Sequence, residues 1–171
     1  MVVFYYLPQP ISTVGAALVF IVASITDWLD GWVARKMNQT SEFGAFLDPV
    51  ADKLMVAVAL VLLVERHDTQ LFTLAACVII GREIVVSALR EWMAELGERT
   101  SVAVSYVGKV KTAFQMIAIT GLLAIDPATH ESWLLALCYV VLYVAAILTL
   151  WSMFVYLKAA WVVMKERDNS F

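Results

Sequence analysis

Long apolar segments alternate with short polar connections along the whole chain. The pattern predicts five helical segments, which cover about residues 12–36, 43–64, 71–92, 106–125 and 133–160. In the most apolar of them, residues 133–157 include no charged residue. About 20 apolar helical residues cross the hydrocarbon core of a bilayer, so this segment is long enough to span a membrane. The sequence therefore predicts an all-α integral membrane protein, a helical bundle of five full spans after a short N-terminal stub.

The amino-acid composition agrees with a membrane protein and argues against one class of partner. The chain has 171 residues, 62% of them hydrophobic, and a mean hydropathy of +0.81. A single domain over residues 1–171 is expected. The net charge of −3 argues against a nucleic-acid partner, which would require a basic surface. The first ten residues have no basic region and only a short apolar part, so no cleavable signal peptide is predicted.

The distribution of Lys and Arg predicts the orientation of the bundle. Basic residues collect near the loops at 36–42 and 93–105 and near the C-terminus, and they are Arg35, Lys36, Arg90, Arg99, Lys109, Lys111, Lys165 and Arg167. The loops of the opposite side contain only Arg66. Cytoplasmic loops are enriched in Lys and Arg, so the first side is expected to face the cytoplasm. Tryptophans near the span ends are expected to act as interface anchors: Trp28, Trp32, Trp92, Trp133 and Trp161.

Four aspartates interrupt the first two apolar segments. Asp27 and Asp30 are three residues apart, and Asp48 and Asp52 are four apart, so each pair shares a helix face. The two helices are predicted to run antiparallel about a turn near residues 38–42. Counting outward from that turn brings all four carboxylates to one place near the cytoplasmic membrane surface.

Four ionised carboxylates in one place repel one another, so they must protonate or bind cations. One interpretation is that they pair with Arg35, Lys36 and Lys53 as topology anchors, although three basic residues cannot neutralise four acids directed at each other. The other is a cation site, because an all-oxygen cluster suits Mg²⁺ or Mn²⁺. Four carboxylates can hold two such ions, an arrangement used for in-line phosphoryl displacement.

Small residues accompany the aspartates. Gly31, Ala34 and Gly44 would let a nucleotide approach the backbone, or they would simply allow close helix packing. Pro49 disfavours the α conformation at Asp48, which suggests a local kink that directs Asp48 into the site.

The segment reads D-x2-D-G-x2-A-R-x8-G-x3-D-x3-D from Asp27 to Asp52. It resembles the signature of the CDP-alcohol phosphotransferases, integral membrane enzymes that make phospholipids. The resemblance implies a site for two metal ions held by Asp27, Asp30 and Asp48, with Asp52 close to the metals. It also implies that Asp52 deprotonates the attacking alcohol. A CDP-lipid is expected to bind along the same segment, at Asp30, Gly31, Ala34, Arg35 and Gly44.

The resemblance carries further expectations about architecture. Family members have six transmembrane helices after a short amphipathic segment, whereas the first span here is reduced to MVVFYYL. The chain is therefore expected to be an N-terminally short version of the membrane domain, with the signature hairpin at 27–52. A homodimer in the bacterial inner membrane, with its active site facing the cytoplasm, is the implied assembly and location.

A second group of candidate residues is basic: Arg82, Arg90, Lys109 and Lys111. Arg82 lies roughly 12 Å inside the helix end near Arg90, and an arginine at that depth needs an anionic partner. Glu83 projects about 100° away on the helix, so no acidic partner is expected on the face of Arg82. A phosphate on the acceptor would supply the partner. The alternative, cytoplasmic positive charges, suits Arg90 and Lys111 but not Arg82. Lys109 and Lys111 differ by about 200°, so only one of them is expected to face the pocket.

These basic segments resemble the bacterial family members whose acceptor is sn-glycerol 3-phosphate. This implies that Arg82, Arg90 and Lys109 hold the acceptor phosphate, and that CDP-diacylglycerol is converted to phosphatidylglycerophosphate and CMP. Within the family, inositol phosphate or serine is the alternative acceptor. A divalent-cation transporter is an alternative of another class, although no acid continues a path across the membrane. The two histidines, His67 and His130, fall in the opposite-side loops, so a carboxylate is the expected base.

Overall fold

The computed structural model describes residues 2–6, 8, 11–37, 42–97, 106–127 and 133–168. Within these ranges, side chains are described except at 27–28, 31–32, 34–37, 42–43, 45–49, 106–110 and 166–168. Every regular element in the described ranges is an α-helix. In chain order the helices are α1 (Val2–Tyr6), α2 (Ile11–Met37), α3 (Glu42–His67), α4 (Gln70–Glu95), α5 (Tyr106–Ala124) and α6 (Trp133–Asp168).

The five long helices agree with the five predicted segments. The bounds of α2 to α5 differ from the predicted ones by at most three residues. The exception is the end of α6, which continues to Asp168 instead of ending near residue 160. Its last turns contain charged residues that leave the apolar pattern but are good helix formers, so the helix outlasts its apolar part.

A two-residue connection joins α3 to α4. Asp68 adopts a positive φ of 37°, a conformation that Asp tolerates better than most residues. Thr69 then caps α4, because its hydroxyl accepts a hydrogen bond from the Phe72 backbone amide at 3.4 Å. A connection this short requires α3 and α4 to lie side by side and antiparallel.

The main core lies between α2, α3, α4, α5 and α6. Fully buried side chains at its centre include Leu63, Phe72, Ile79, Ile119 and Leu142. A second, smaller core joins the later halves of α4 and α6 through Val86, Met93, Tyr156 and Ala160. Helix α6 therefore packs against α4 over much of its length, and it also packs along α5.

Polar contacts tie the helix ends together where α3 finishes. Arg66 donates a hydrogen bond from Nη1 to the Leu123 carbonyl of α5 at 3.3 Å. His67, which is buried, shares a 2.5 Å hydrogen bond between Nδ1 and the Tyr139 hydroxyl of α6. Helix α1 packs against α2, and the Arg66 guanidinium lies 4.0 Å from the ring centre of Phe4. The ends of α3, α5 and the first part of α6 therefore stand at one level.

The outer surface of the bundle is apolar. Large side chains such as Trp133, Ile147, Trp151, Phe154 and Trp161 are more than half exposed on α6 alone. By length and composition, two helices in the described part can cross a membrane, namely Gln70–Glu95 and Trp133–Lys165. Shorter apolar helical segments cover Ile11–Thr26 and Lys111–Ala124. Trp133 and Trp161 are roughly 42 Å apart along α6 by helix rise, close to the thickness of a bilayer with its headgroups.

Helices α5 and α6 pack closely at Gly121. A Cβ atom built at this position would lie 2.5 Å from Cys138 Sγ, whereas one built at Gly81 would meet nothing within 4 Å. Gly121 therefore permits the close contact between α5 and α6, and Gly81 has no comparable role.

We predict that Gly121→Ala lowers the thermal unfolding midpoint of the protein in detergent, because an added methyl group overpacks the α5–α6 contact at a cost of about 1–3 kcal/mol. Gly81→Ala is the matched control and should be neutral or stabilising, since alanine favours a helix over glycine. In a Cys138→Ala background the clash is removed, so Gly121→Ala should there behave like the control. An equal loss of stability in both backgrounds would contradict this explanation.

Candidate active site

The acidic signature lies at the end of α2 and the start of α3, on either side of residues 38–41. Asp27 and Asp30 are within α2, and Asp48 and Asp52 are within α3. Because both segments are helical, residues three or four apart share a face, as the sequence predicts. The backbone therefore supports one acidic face on each helix.

Two of the four carboxylates lie on described side chains. Asp30 is exposed and Asp52 is half-buried. The side chains of Asp27 and Asp48 lie outside the described set, as do those of Ala34 and Arg35. Among the described side chains no group of three His, Cys, Asp or Glu forms a metal-binding cluster. The convergence of all four aspartates thus stays a prediction.

Of the small residues in the signature, Gly44 is half-buried on α3, while Gly31 lies on α2 outside the described side chains. Pro49 falls inside α3, and the helix assignment continues through Asp48 and Pro49 from Glu42 to His67. Asp48 is therefore part of the helix, despite the usual bias of a residue that precedes proline.

A cluster of charged side chains lies where α4, α5 and α6 meet. Glu83 Oε1 accepts a hydrogen bond from Arg82 Nη1 at 3.0 Å and another from Lys111 Nζ at 2.8 Å. The side chains of Arg82 and Lys111 are only 5% and 2% exposed, while that of Glu83 is 24% exposed. Arg82 also donates from Nη2 to Ser152 Oγ on α6 at 2.8 Å. One carboxylate oxygen therefore joins two buried cations from different helices.

Arg90 joins this cluster through an aromatic ring of α6. The Arg90 guanidinium lies 5.2 Å from the ring centre of Tyr156, and that of Arg82 lies 5.8 Å from the same centre. Arg90 Nη2 also donates to the Tyr156 hydroxyl at 3.4 Å. The two distances from guanidinium to ring centre are within the range of cation–π attraction. Arg82 and Arg90 therefore both lie against the ring of Tyr156.

The cluster carries an excess of positive charge. Among the described side chains, its three cations, Arg82, Arg90 and Lys111, face one carboxylate, Glu83. Two buried donors, Arg82 Nε and Arg90 Nε, have no hydrogen-bond partner within the same set. Buried donors are normally satisfied, so unpartnered ones in a cationic cluster suit an anionic ligand with several acceptor oxygens.

One sequence-based expectation about this cluster is wrong. Glu83 was expected to project away from Arg82, yet their side chains form an ion pair. The helix angle gives the directions in which two side chains leave the backbone, whereas the ends of two long side chains can still meet. Of Lys109 and Lys111, only one was expected to face the pocket. Lys111 is buried in the cluster, and the side chain of Lys109 lies outside the described set.

Sequence reasoning missed the residues of α6 that support the arginines. Ser152 and Tyr156 are buried and contact Arg82 and Arg90. Their spacing of four residues places two polar groups on one face of an otherwise apolar helix. This spacing could have identified the two residues in the sequence, but both lie within a long apolar segment.

Helix geometry places the acidic and basic groups at a similar level in the bundle. Asp52 precedes the end of α3 at His67 by roughly 22 Å, and Arg82 follows the start of α4 at Gln70 by roughly 18 Å. Lys111 precedes Leu123, to which Arg66 is bonded, by roughly 18 Å along α5. Since α3 and α4 share a two-residue connection, Asp52 lies within about one helix turn of the level of the basic cluster.

Neither histidine enters the site in the described part of the chain. His67 is the last residue of α3 rather than a loop residue, and it is buried against Tyr139 and Phe72. It lies roughly 22 Å along α3 from Asp52. His130 lies outside the described residues.

Comparison with known proteins identifies the family. Residues 1–164 match the family model of CDP-alcohol phosphatidyltransferase, and the chain belongs to this family. A Yersinia pestis protein named CDP-diacylglycerol–glycerol-3-phosphate 3-phosphatidyltransferase is 54% identical over 162 residues, which cover 95% of this chain and 87% of that protein. A Shigella flexneri protein of the same name is 54% identical over 159 residues, with 93% and 85% covered.

Proposed function

We propose that this chain transfers the phosphatidyl group of CDP-diacylglycerol to sn-glycerol 3-phosphate, which yields phosphatidylglycerophosphate and CMP. The family assignment supports the phosphatidyl transfer. The names of relatives that share about half of its residues support this donor and this acceptor. The resemblance of the signature D-x2-D-G-x2-A-R-x8-G-x3-D-x3-D agrees with both.

The observation that carries the choice of acceptor is the basic cluster at the level of Asp52. Arg82, Arg90 and Lys111 together exceed the charge of Glu83 by two, which matches the charge of a phosphate monoester dianion. Arginine forks bind phosphate oxygens well, and unpartnered Nε donors are present on both arginines. We infer that this cluster binds the acceptor phosphate and that the glycerol hydroxyl extends towards Asp52. The family resemblance implies the same role for Lys109, which precedes Lys111 by two residues.

The acidic face of α2 and α3 has the donor chemistry of a divalent-metal site. Asp30 and Asp52 present carboxylates on described side chains, and Asp27 and Asp48 occupy helix positions on the same faces. We assign two Mg²⁺ or Mn²⁺ ions to these four aspartates, since such ions prefer oxygen ligands. When bound, the ions would neutralise the diphosphate of the donor.

The residues of the chain then divide the reaction between them. Gly31, Ala34 and Gly44 leave room for the cytidine diphosphate, and Arg35 and Asp30 contact it. A carboxylate oxygen of Asp52 removes the proton from the acceptor hydroxyl. The resulting oxygen bonds to the β-phosphorus as the bond between that phosphorus and the bridging oxygen breaks. The electron pair leaves with CMP.

The membrane arrangement follows from the same proposal. Helices α2 to α6 are assigned as five transmembrane spans in the bacterial inner membrane. The distribution of Lys and Arg places the acidic face and the basic cluster towards the cytoplasm, where CDP-lipid and glycerol phosphate meet. A homodimer is the assembly that the family resemblance implies.

The proposal is tested by measuring CMP release from labelled CDP-diacylglycerol by the purified protein. We expect release that depends on sn-glycerol 3-phosphate and on Mg²⁺ or Mn²⁺, and little release with serine or inositol phosphate. Preference for another acceptor would reassign the protein within its family. Failure to release CMP with any acceptor would favour the divalent-cation transporter, which a metal-uptake assay in vesicles would detect.

Asp52→Asn should reduce turnover by about 10²–10⁴-fold, the usual contribution of a general base, while CDP-lipid binding partly survives. Asp68→Asn is a matched control, because Asp68 is exposed at the other end of α3 and Asn tolerates its positive φ. Turnover and donor binding of both variants are measured side by side. A loss of less than tenfold in Asp52→Asn would remove Asp52 from the proposed chemistry.

Arg82→Ala should raise the KM for sn-glycerol 3-phosphate by about ten- to a hundredfold, because a charge-assisted contact to phosphate is worth about 1.5–3 kcal/mol. The KM for CDP-diacylglycerol should stay close to normal. Arg66→Ala is the control arginine, since Arg66 contacts Phe4 and the Leu123 carbonyl at the far end of the bundle. An effect of Arg82→Ala on donor binding alone would assign the basic cluster to the CDP-lipid instead.

A further inference from the structure

Glu83 occupies an unusual place in a cationic site. It is the acidic group bonded to Arg82 and Lys111, and both bonds end on the same oxygen, Oε1. A carboxylate so close to a phosphate site would ordinarily weaken phosphate binding by repulsion. Its presence therefore requires a contribution that outweighs the repulsion.

Burial supplies the first part of that contribution. Arg82 and Lys111 are almost fully enclosed by protein, and two unpaired cations in a low-dielectric interior are strongly destabilised. Pairing with Glu83 offsets this cost in the absence of substrate. It does so with one negative charge, so the cluster of Arg82, Arg90 and Lys111 keeps its excess of two positive charges.

Geometry supplies the second part. Glu83 uses one of the five donor hydrogens of Arg82 and one of the three of Lys111. Ser152 accepts from a second guanidinium nitrogen, Nη2, at 2.8 Å, and Arg82 Nε has no partner among the described residues. The two cations are thus fixed relative to each other across α4 and α5, while the Nε donor of Arg82 is left for a ligand.

We propose that Glu83 is a positioning residue, which sets the separation and orientation of Arg82 and Lys111 for the acceptor phosphate. This inference rests on the proposed function, because it takes the basic cluster as the acceptor site. Glu83 acts through the two cations and does not itself contact the substrate. Fixed cations bind phosphate more tightly than mobile ones because less side-chain order is lost on binding.

The test compares three variants in the assay of CMP release, with KM determined separately for each substrate. Glu83→Gln keeps the size of the side chain but removes its charge. It should raise the KM for sn-glycerol 3-phosphate by about tenfold or more and leave the KM for CDP-diacylglycerol unchanged. Glu95→Gln, the same change at an exposed position on α4, should alter neither KM.

Glu83→Asp separates positioning from simple charge balance. It keeps the negative charge but is shorter by one methylene group, so one carboxylate oxygen can no longer reach both cations. We expect at least a threefold rise in the acceptor KM, with normal donor KM. This variant also carries the test if Glu83→Gln does not fold, as judged by its thermal midpoint and elution volume in detergent.

Several results would overturn the proposal. An acceptor KM near the unmodified value in Glu83→Asp would reduce Glu83 to a counter-charge. A lower acceptor KM in Glu83→Gln would identify Glu83 as a competitor of the phosphate. Failure of the unmodified chain to use sn-glycerol 3-phosphate contradicts the proposed function, whereas an active unmodified chain with an unaltered acceptor KM in Glu83→Gln contradicts the role of Glu83 alone.

Discussion

The ion pairs of Glu83, together with the hydrogen bond from Arg82 to Ser152, hold α4, α5 and α6 in a common arrangement. Lys111 of α5 and Arg82 of α4 share one carboxylate oxygen, and Arg82 reaches on to Ser152 of α6. In an apolar interior these groups have little access to water. Separation of α5 would leave Lys111 without its carboxylate, and separation of α6 would leave Arg82 without the Ser152 hydroxyl. This requirement fixes the rotation of α4, α5 and α6 at the level where the chemistry is proposed to occur.

The acidic and basic halves of the candidate site are built in different ways. The aspartates lie on α2 and α3 at spacings of three and four residues, so local helix geometry alone determines their faces. The basic cluster depends on contacts between residues far apart in the chain, such as Arg82 and Ser152, which are separated by 70 positions. The acidic half can therefore be predicted from the sequence, whereas the basic half depends on tertiary packing.

This difference explains what the sequence could predict. The apolar pattern located α2 to α5 to within a few residues because a 3.6-residue period and membrane-length runs are strong signals. The Arg82–Glu83 ion pair was not predicted, because the angle between two residues on a helical wheel does not account for the length of their side chains. The roles of Ser152 and Tyr156 were not predicted because neither residue is charged and both lie in an apolar run. Whether the four aspartates converge stays a prediction, since the side chains of Asp27 and Asp48 lie outside the described set.

The two-residue connection between α3 and α4 has a consequence for how this protein can vary. Helix α3 ends and α4 begins at the same turn. The height of Asp52 relative to Arg82 in the bundle is therefore set by the number of residues between Asp52 and the turn and between the turn and Arg82. Substitutions on the lipid-facing surface leave this relative height intact. A single inserted or deleted residue in either interval would rotate one group by about 100° and shift it by about 1.5 Å. The length of this segment is therefore more restricted in evolution than the composition of its outer surface.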